Sequence, residues 1–271
     1  MKKRLTGYIA YGILITIVFL WCRYPDSLIE QGIRSAIAKS NPDVVVSMDS
    51  ATLSFPLVIE IEDLKIGKRG QPGSVAIDHL KTDFALTRLL RGIVSCTLEV
   101  DAYGGFIVGD AGFTERFSID GPLSLNARLK NVNLGTCSFL KTALNQDIDG
   151  KLTGTVSYRG SMKDAINGSG DADLALVEGS MGLRRPLLGL SALDFDTLTV
   201  RTVLRDRTLK INKAEIAGKQ MSGSFSGVIF LNNTILRSRI AVKGRARMVP
   251  LEKDVSVTLS GTLARTRHRI R

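Results

Sequence analysis

Residues 123–130, Leu-Ser-Leu-Asn-Ala-Arg-Leu-Lys, alternate strictly between apolar and polar side chains. The same alternation runs through residues 255–263, Val-Ser-Val-Thr-Leu-Ser-Gly-Thr-Leu, and through shorter stretches at 197–201 and 209–211. Successive side chains of a strand point to opposite faces, so this pattern predicts strands with one buried and one solvated face. Such strands are typical of antiparallel sheets. The sequence therefore predicts a mainly β protein built on a twisted, largely antiparallel sheet.

Turn-forming residues separate the alternating stretches. Gly, Asn, Asp and Pro cluster at positions 68–73, 104–105, 120–122, 167–170 and 232–233. Gly permits positive φ angles, while Asn and Asp stabilise turns with their own side chains. The chain has 26 Gly and only 7 Pro, which suits many strands joined by tight turns.

A helical pattern appears between Asp26 and Ile37, where apolar residues recur at roughly helical spacing. Asp26 is a candidate N-cap with Glu30 in the first turn, and Asn41-Pro42 is expected to end the helix. We expect this amphipathic helix to pack across one end of the sheet, because its polar face is only weakly basic for a membrane-surface helix. Two more short helices are predicted, near residues 87–91 and 137–144.

The N-terminus has the pattern of a membrane anchor. Met1-Lys2-Lys3-Arg4 precedes an uncharged apolar run from Leu5 to Cys22, which at about 1.5 Å per residue extends about 27 Å, close to the thickness of a hydrocarbon core. The basic end is expected to remain in the cytoplasm. This predicts a single-pass bacterial inner-membrane protein with its bulk in the periplasm. The predicted anchor residues are Leu5, Ile9, Ile13, Ile17, Phe19, Leu20 and Trp21.

Three alternatives to an uncleaved anchor fit the sequence less well. A cleavable signal peptide needs small residues before the cut, and the run ends Phe-Leu-Trp-Cys-Arg-Tyr at residues 19–24. A lipoprotein signal also needs a small residue before its Cys, and Trp21 is large. A buried core helix is the remaining alternative, against which the flanking charges argue.

These segments predict four regions. Residues 1–24 form a cytoplasmic tip and transmembrane anchor, and residues 25–40 form the amphipathic helix. Residues 41–115 form an N-terminal periplasmic β region, and residues 116–271 form a C-terminal one.

The sequence offers no catalytic, cofactor or metal motif, so we expect a protein that is not an enzyme. His79 lies in an alternating strand and His268 in a basic tail, and neither has a second ligand at metal-binding spacing. Acidic pairs at positions 147/149, 171/173 and 194/196 share a strand face but lack the further ligands of a calcium loop. They are interpreted as Asp residues of polar faces and turns.

The chain contains three cysteines, Cys22, Cys96 and Cys137, without a Cys-x-x-Cys motif. Cys96 and Cys137 have the option of pairing outside the cytoplasm. The favoured alternative is that both are buried free thiols, because the sequence does not show that the two side chains meet in space.

Basic residues dominate the end of the chain, and the net charge is +11. Such a balance favours nucleic acid, anionic lipid or an acidic protein as partner. Nucleic acid is disfavoured, because neither stacking aromatics nor a groove-binding helix accompanies the charge and export removes the protein from nucleic acid. The remaining candidate partners are a membrane surface and an acidic protein. The alternative is that the basic residues only keep the protein soluble. The predicted basic contact surface comprises Arg237, Arg239, Lys243, Arg245, Arg247, Arg265, Arg267, Arg269 and Arg271.

Several segments together resemble the AsmA-like proteins of Gram-negative envelopes. The first is the opening: the anchor, the amphipathic helix, the strand pair at 53–67, the segment 77–92 and the strand before Gly104-Gly105. The second is the unit from Val132 to Val156, which contains Ile-Asp-Gly-Lys-Leu-Thr-Gly at 148–154. The glycine-containing stretch 195–231 is similar to the C-terminal sheet of that family. The resemblance covers most of residues 1–105 and 130–232.

The length, the single anchor and the start Leu-Thr-Gly-Tyr-Ile-Ala-Tyr-Gly at residues 5–12 resemble more narrowly the protein N family of the type II secretion pathway in its delta-proteobacterial form. This resemblance implies a non-enzymatic, inner-membrane-anchored periplasmic component that acts by protein–protein interaction with other secretion-system or envelope proteins. The wider AsmA-like resemblance implies an alternative role in lipid handling, in which an apolar sheet face shields acyl chains between the envelope membranes. The alternating strands fit an open groove and a packed core equally well.

Overall fold

The computed structural model of the chain describes residues 26–40, 43–70, 73–113, 121–144, 146–161, 164–187, 190–219, 221–248 and 254–270. Most of these residues are in strands, and all the strands belong to one antiparallel sheet. This confirms the mainly β prediction. The predicted transmembrane anchor at residues 1–24 lies outside the described residues. Among those that are described, no helix combines the length and the apolar character needed to cross a bilayer.

Three α-helices and three 3₁₀ turns accompany the strands in this part of the chain. The helices are α1 (Asp26–Ser40), α2 (Leu86–Leu89) and α3 (Ser138–Leu144), as the sequence predicted within a few residues. The 3₁₀ turns are Leu134–Thr136, Ala165–Asn167 and Ile235–Arg237. The strands are β1 (Val44–Ser47), β2 (Ser50–Ser54), β3 (Val58–Lys68), β4 (Ser74–Phe84), β5 (Ser95–Ala102), β6 (Gly105–Phe113), β7 (Leu123–Asn133), β8 (Ile148–Gly160), β9 (Ser169–Leu187), β10 (Leu190–Arg205), β11 (Thr208–Ala217), β12 (Met221–Phe230), β13 (Arg239–Met248), β14 (Asp254–Thr262) and β15 (Arg265–Ile270).

The sheet is a meander in which each strand from β3 onward pairs with the next strand in the sequence. At its start, β1 pairs with the C-terminal part of β3 and β2 pairs with the N-terminal part. Antiparallel neighbours need only short connections, which explains why turn-forming residues recur throughout the sequence. β6 pairs with β7, so one sheet runs through both predicted β regions.

One face of the sheet is apolar from β2 to β14. Cross-strand partners share a face, and one row of partners connects every strand in this range. The row comprises Ala51, Ile61, Leu80, Val100, Ile107, Leu129, Gly154, Leu174, Val200, Ala214, Phe225, Gly244 and Val257. Each member is apolar or Gly. The row gives the sheet a continuous apolar face across its width.

Two buried clusters lie on the apolar face. The N-terminal cluster joins Met48, Ala51, Ile61 and Leu64, with Ile29 and Ile33 of α1 packed against it. The C-terminal cluster comprises Leu176, Leu193, Phe195, Ile216, Met221, Ala246 and Val257. Between them, apolar side chains of β5 to β7 such as Leu98, Ile107 and Leu129 are half-buried and belong to neither cluster.

The described part of the chain contains no second sheet packed on the first. α1 packs on β1 and β2, α3 lies beside β4, and the 134–136 turn lies beside β8. The remaining principal contacts join strands to their neighbours, apart from a close approach of β10 to β12. In its described residues the protein is therefore a single sheet with local helical cover, not a two-sheet sandwich.

Candidate functional site

The polar face of the last three strands collects most of the predicted basic residues. On β13, Arg239, Lys243, Arg245 and Arg247 occupy alternate positions and so share one face. The register brings a second set from β15 onto that face, because Thr258 on β14 partners both Lys243 and Arg269. We call this surface the basic face. Its members are Arg239, Lys243, Arg245, Arg247, Arg265, Arg267 and Arg269, and all of them are exposed.

Strand geometry fixes the spacing of these cations. Residues two apart along a strand are separated by about 6.8 Å, and β13 and β15 lie about 9.6 Å apart on either side of β14. The first separation is within the Debye length at physiological salt, about 8 Å, and the second only slightly exceeds it. The charges therefore act as one positively charged surface toward a partner.

Little within the described strands neutralises the basic face. Asp254 is the only Asp or Glu in residues 221–248 and 254–270. It accepts a hydrogen bond from Arg247 Nε at 3.0 Å, and both side chains are largely exposed, so this pair contributes little to stability. The neighbouring positions on the same face are mostly hydroxyl side chains: Ser222, Ser224 and Ser226 on β12, and Ser256, Thr258, Ser260 and Thr262 on β14.

One end of the basic face carries exposed apolar side chains. Phe230 is the cross-strand partner of Arg239 and is 51% exposed, and Leu236 in the adjacent 3₁₀ turn is 37% exposed. Phe230 and Arg239 line a depression of about 530 Å³ together with Ala241, Gly261 and Thr262. We call Phe230 and Leu236 the apolar tip; Arg237 lies beside Leu236 in the same turn.

Hydrogen bonds hold the tip in place. The amide of Leu263 donates to the Ser238 carbonyl oxygen at 3.0 Å, and that of Ala264 donates to the Leu236 carbonyl oxygen at 2.9 Å. The fully buried Ser238 accepts a third bond at its Oγ from the Asn232 amide at 3.0 Å. The turn that carries Leu236 is thus fixed to the β14–β15 hairpin.

The structure gathers seven of the nine predicted basic residues on one face. Arg237 instead lies in the 3₁₀ turn at the tip, and Arg271 lies outside the described residues. The predicted anchor residues Leu5, Ile9, Ile13, Ile17, Phe19, Leu20 and Trp21 also lie outside them. The sequence prediction missed Phe230, although a signal exists: β12 alternates with its serines at even positions, so Phe230 falls on the polar face.

A second concavity of about 870 Å³ crosses the polar face from β6 to β11. Its walls have mixed charge, with Arg128 and Lys130 on β7 facing Asp171 and Asp173 on β9. Arg201 Nε donates to Asp173 Oδ2 at 3.0 Å. The predicted acidic pair 171/173 is therefore part of a polar face, and the described residues hold no group of three potential metal ligands.

The two described cysteines are free thiols. Cys96 is half-buried on β5 and Cys137 is buried at the start of α3. Burial raises the pKa of Cys96, the nearby Asp110 carboxylate raises it further, and a hydrogen bond with the Ala111 backbone opposes both effects. Because the thiolate is the reactive form, a raised pKa makes this thiol a poor nucleophile.

His79 lies on the polar face between two carboxylates. Its Nε2 is 3.6 Å from Glu62 and its Nδ1 is 3.7 Å from Asp101. The three residues are cross-strand neighbours on β3, β4 and β5. This arrangement agrees with the interpretation of His79 as a residue of a polar strand face.

Comparison of the chain with protein-family models, curated proteins and solved structures gave no match.

Proposed function

We propose that this chain is a non-enzymatic, inner-membrane-anchored periplasmic component of a type II protein secretion system that acts by binding other envelope proteins. The observation that carries the proposal is the open edge of the sheet at β15. Within the described residues β15 pairs only with β14, so the backbone on its other side is available to a partner strand. The resemblance of the length, the single anchor and residues 5–12 to the protein N family supplies the secretion context.

The side chains of β15 favour a foreign partner over a second copy. Arg265, Arg267 and Arg269 alternate along the strand. Pairing β15 with another β15 would bring like charges close together across the new ladder, which is unfavourable. A partner strand with acidic or hydroxyl side chains avoids that repulsion, while the backbone hydrogen bonds provide affinity.

Site-specific photocrosslinking in the native cell tests this proposal. A benzophenone amino acid at Thr266, in the edge strand, is expected to crosslink to secretion-system subunits. The same probe at Thr155, in the central strand β8, serves as the matched control and is expected not to. Equal crosslinking from both positions, or normal secretion in a deletion strain with the operon otherwise intact, would count against the proposal.

The continuous apolar face favours a second candidate function, lipid handling. The described residues provide no second sheet to cover it, and Leu98, Ile107 and Leu129 are only half-buried. Burial of an acyl chain is worth about 0.8 kcal/mol per CH₂, so a 16-carbon chain gains about 12 kcal/mol before the costs of binding. An apolar face of this width is long enough to offer such burial.

Native mass spectrometry of the full chain tests lipid handling. We expect co-purified phospholipid, and a reduced amount with Leu129→Gln, which places a polar group on the apolar face. Arg128→Gln is the control, because the neighbouring side chain points to the opposite face. Lipid-free wild-type protein, or equal loss from both variants, would rule out this candidate.

A further inference from the structure

We propose that the basic face and the apolar tip dock together on the surface of an anionic lipid bilayer. This inference does not depend on the assignment to a secretion system, because it concerns the side-chain face of β13–β15 and not the backbone edge of β15. It also differs from acyl-chain binding, which would use the opposite, apolar face of the sheet.

The chemistry of the basic face fits phosphate headgroups. Six of its seven cations are Arg, whose planar guanidinium binds phosphate oxygens in a bidentate manner. The serine and threonine hydroxyls between them are additional hydrogen-bond donors toward the same oxygens. The cations are distributed over two strands, β13 and β15, on either side of β14 and do not converge on a pocket, which suits a repeating array of headgroups.

The apolar tip distinguishes a bilayer from an acidic protein. Phe230 lies on the same face as Arg239, and its exposed ring is positioned to enter the boundary between headgroups and acyl chains. Leu236 extends this apolar contact, and Arg237 beside it remains among the headgroups. Exposed apolar side chains flanked by cations are the combination that peripheral membrane surfaces use.

The cross-strand row that contains Phe230 has arginines on both sides of the ring. Its cross-strand neighbours are Thr208 on β11 and Arg239 on β13. Beyond these, Arg205 partners Thr208 and Thr262 partners both Arg239 and Arg265. The aromatic ring therefore lies within a row of arginines, and a bilayer that contacts the ring also contacts their charges.

Surface plasmon resonance with nanodiscs tests the proposal on the full chain. The protein is reconstituted in phosphatidylcholine nanodiscs and immobilised, and discs with 30% phosphatidylglycerol are passed over it. Discs of pure phosphatidylcholine are the neutral comparator. We expect binding of the anionic discs only, weakening as the salt concentration rises.

Charge variants locate the contact. Lys243→Gln with Arg269→Gln removes two cations of one cross-strand row, and we expect binding to weaken about thirty-fold, since each cation near an anionic membrane is worth about a factor of five. Arg128→Gln with Lys130→Gln is the matched control: it removes two exposed cations from the same polar face on β7. Similar weakening by both double variants would overturn the proposal, as would equal binding of neutral discs.

An uncharged variant tests the apolar tip. Phe230→Ser is expected to weaken binding of anionic discs several-fold without changing net charge, whereas Phe139→Ser, which replaces a 45% exposed ring on α3, is expected to leave it unchanged. Polyglutamate serves as a soluble acidic competitor. If it displaces the discs at equal charge concentration and Phe230→Ser has no effect, the face binds an acidic protein instead and the proposal fails.

Discussion

Gly244 shows how closely the strands approach one another at the C-terminal end of the sheet. It lies in the apolar row between Phe225 and Val257. A methyl group at this position would overlap the Ser224 carbonyl oxygen and lie 2.8 Å from the Phe225 Cα. Backbone atoms cannot move aside as a flexible side chain would, so the space is closed to any larger residue.

We therefore expect Gly244→Ala to destabilise β12 and β13 locally by about 1–3 kcal/mol, the usual cost of overpacking. Gly67→Ala is the control, because the added methyl group would lie 3.6 Å from the Ser74 Cβ in ordinary contact. This control should be neutral or stabilising by up to about 1 kcal/mol. Hydrogen exchange of strand peptides measures both, and equal protection in the two variants would show that the strands separate easily.

At the scale of single elements, α1 closes the first end of the apolar face. Ile29 and Ile33 pack against the N-terminal cluster. Arg34 donates from Nη1 to the Val46 carbonyl oxygen at 3.3 Å and from Nη2 to the Met48 carbonyl oxygen at 3.4 Å. The helix thus covers apolar side chains and also donates hydrogen bonds to backbone carbonyl oxygens at the end of β1 and in the turn between β1 and β2.

Removing the apolar contact should release this end of the sheet. We expect Ile33→Ala to lower the stability of β1 and β2 by about 2 kcal/mol, near the lower limit for such truncations because the side chain is only half-buried. Gly32→Ala alters the adjacent exposed position, where nothing lies within 4 Å, and should stabilise the helix by up to about 1 kcal/mol. Amide hydrogen exchange of residues 44–54 measures the difference in stability between the two variants. Unchanged protection in Ile33→Ala would mean that the strands do not depend on α1.

The sequence predicted individual elements better than it predicted their relations. Alternation at 123–130 identified the two faces of β7 correctly, because periodicity is a local property. It did not locate the irregularity after Leu129, where Asn131 has a φ of 55° and Val132 returns to the apolar face. The basic residues were visible in the sequence, but their union with Phe230 on one face depends on strand order and register, which local patterns do not encode.

At the scale of the whole molecule, contacts between neighbouring strands organise most of the residues that the structure describes. The described residues form one sheet in meander order, and its two buried clusters lie at opposite ends of the apolar face. Repeat proteins with this nearest-neighbour organisation unfold in parts, because no central core couples distant elements. The same behaviour is expected of this chain.

Substitutions in the two clusters should therefore act independently. Leu64→Ala is expected to lower protection from hydrogen exchange in β1 to β4 by about 2–4 kcal/mol and to leave β10 to β14 unchanged. Ile216→Ala removes a similarly buried side chain from the C-terminal cluster and should have the reciprocal effect, so that each variant is the control for the other. If either substitution lowered protection equally along the whole chain, the sheet would unfold as one cooperative unit. The lateral pairing of strands would then transmit stability from edge to edge more strongly than the separation of the clusters implies.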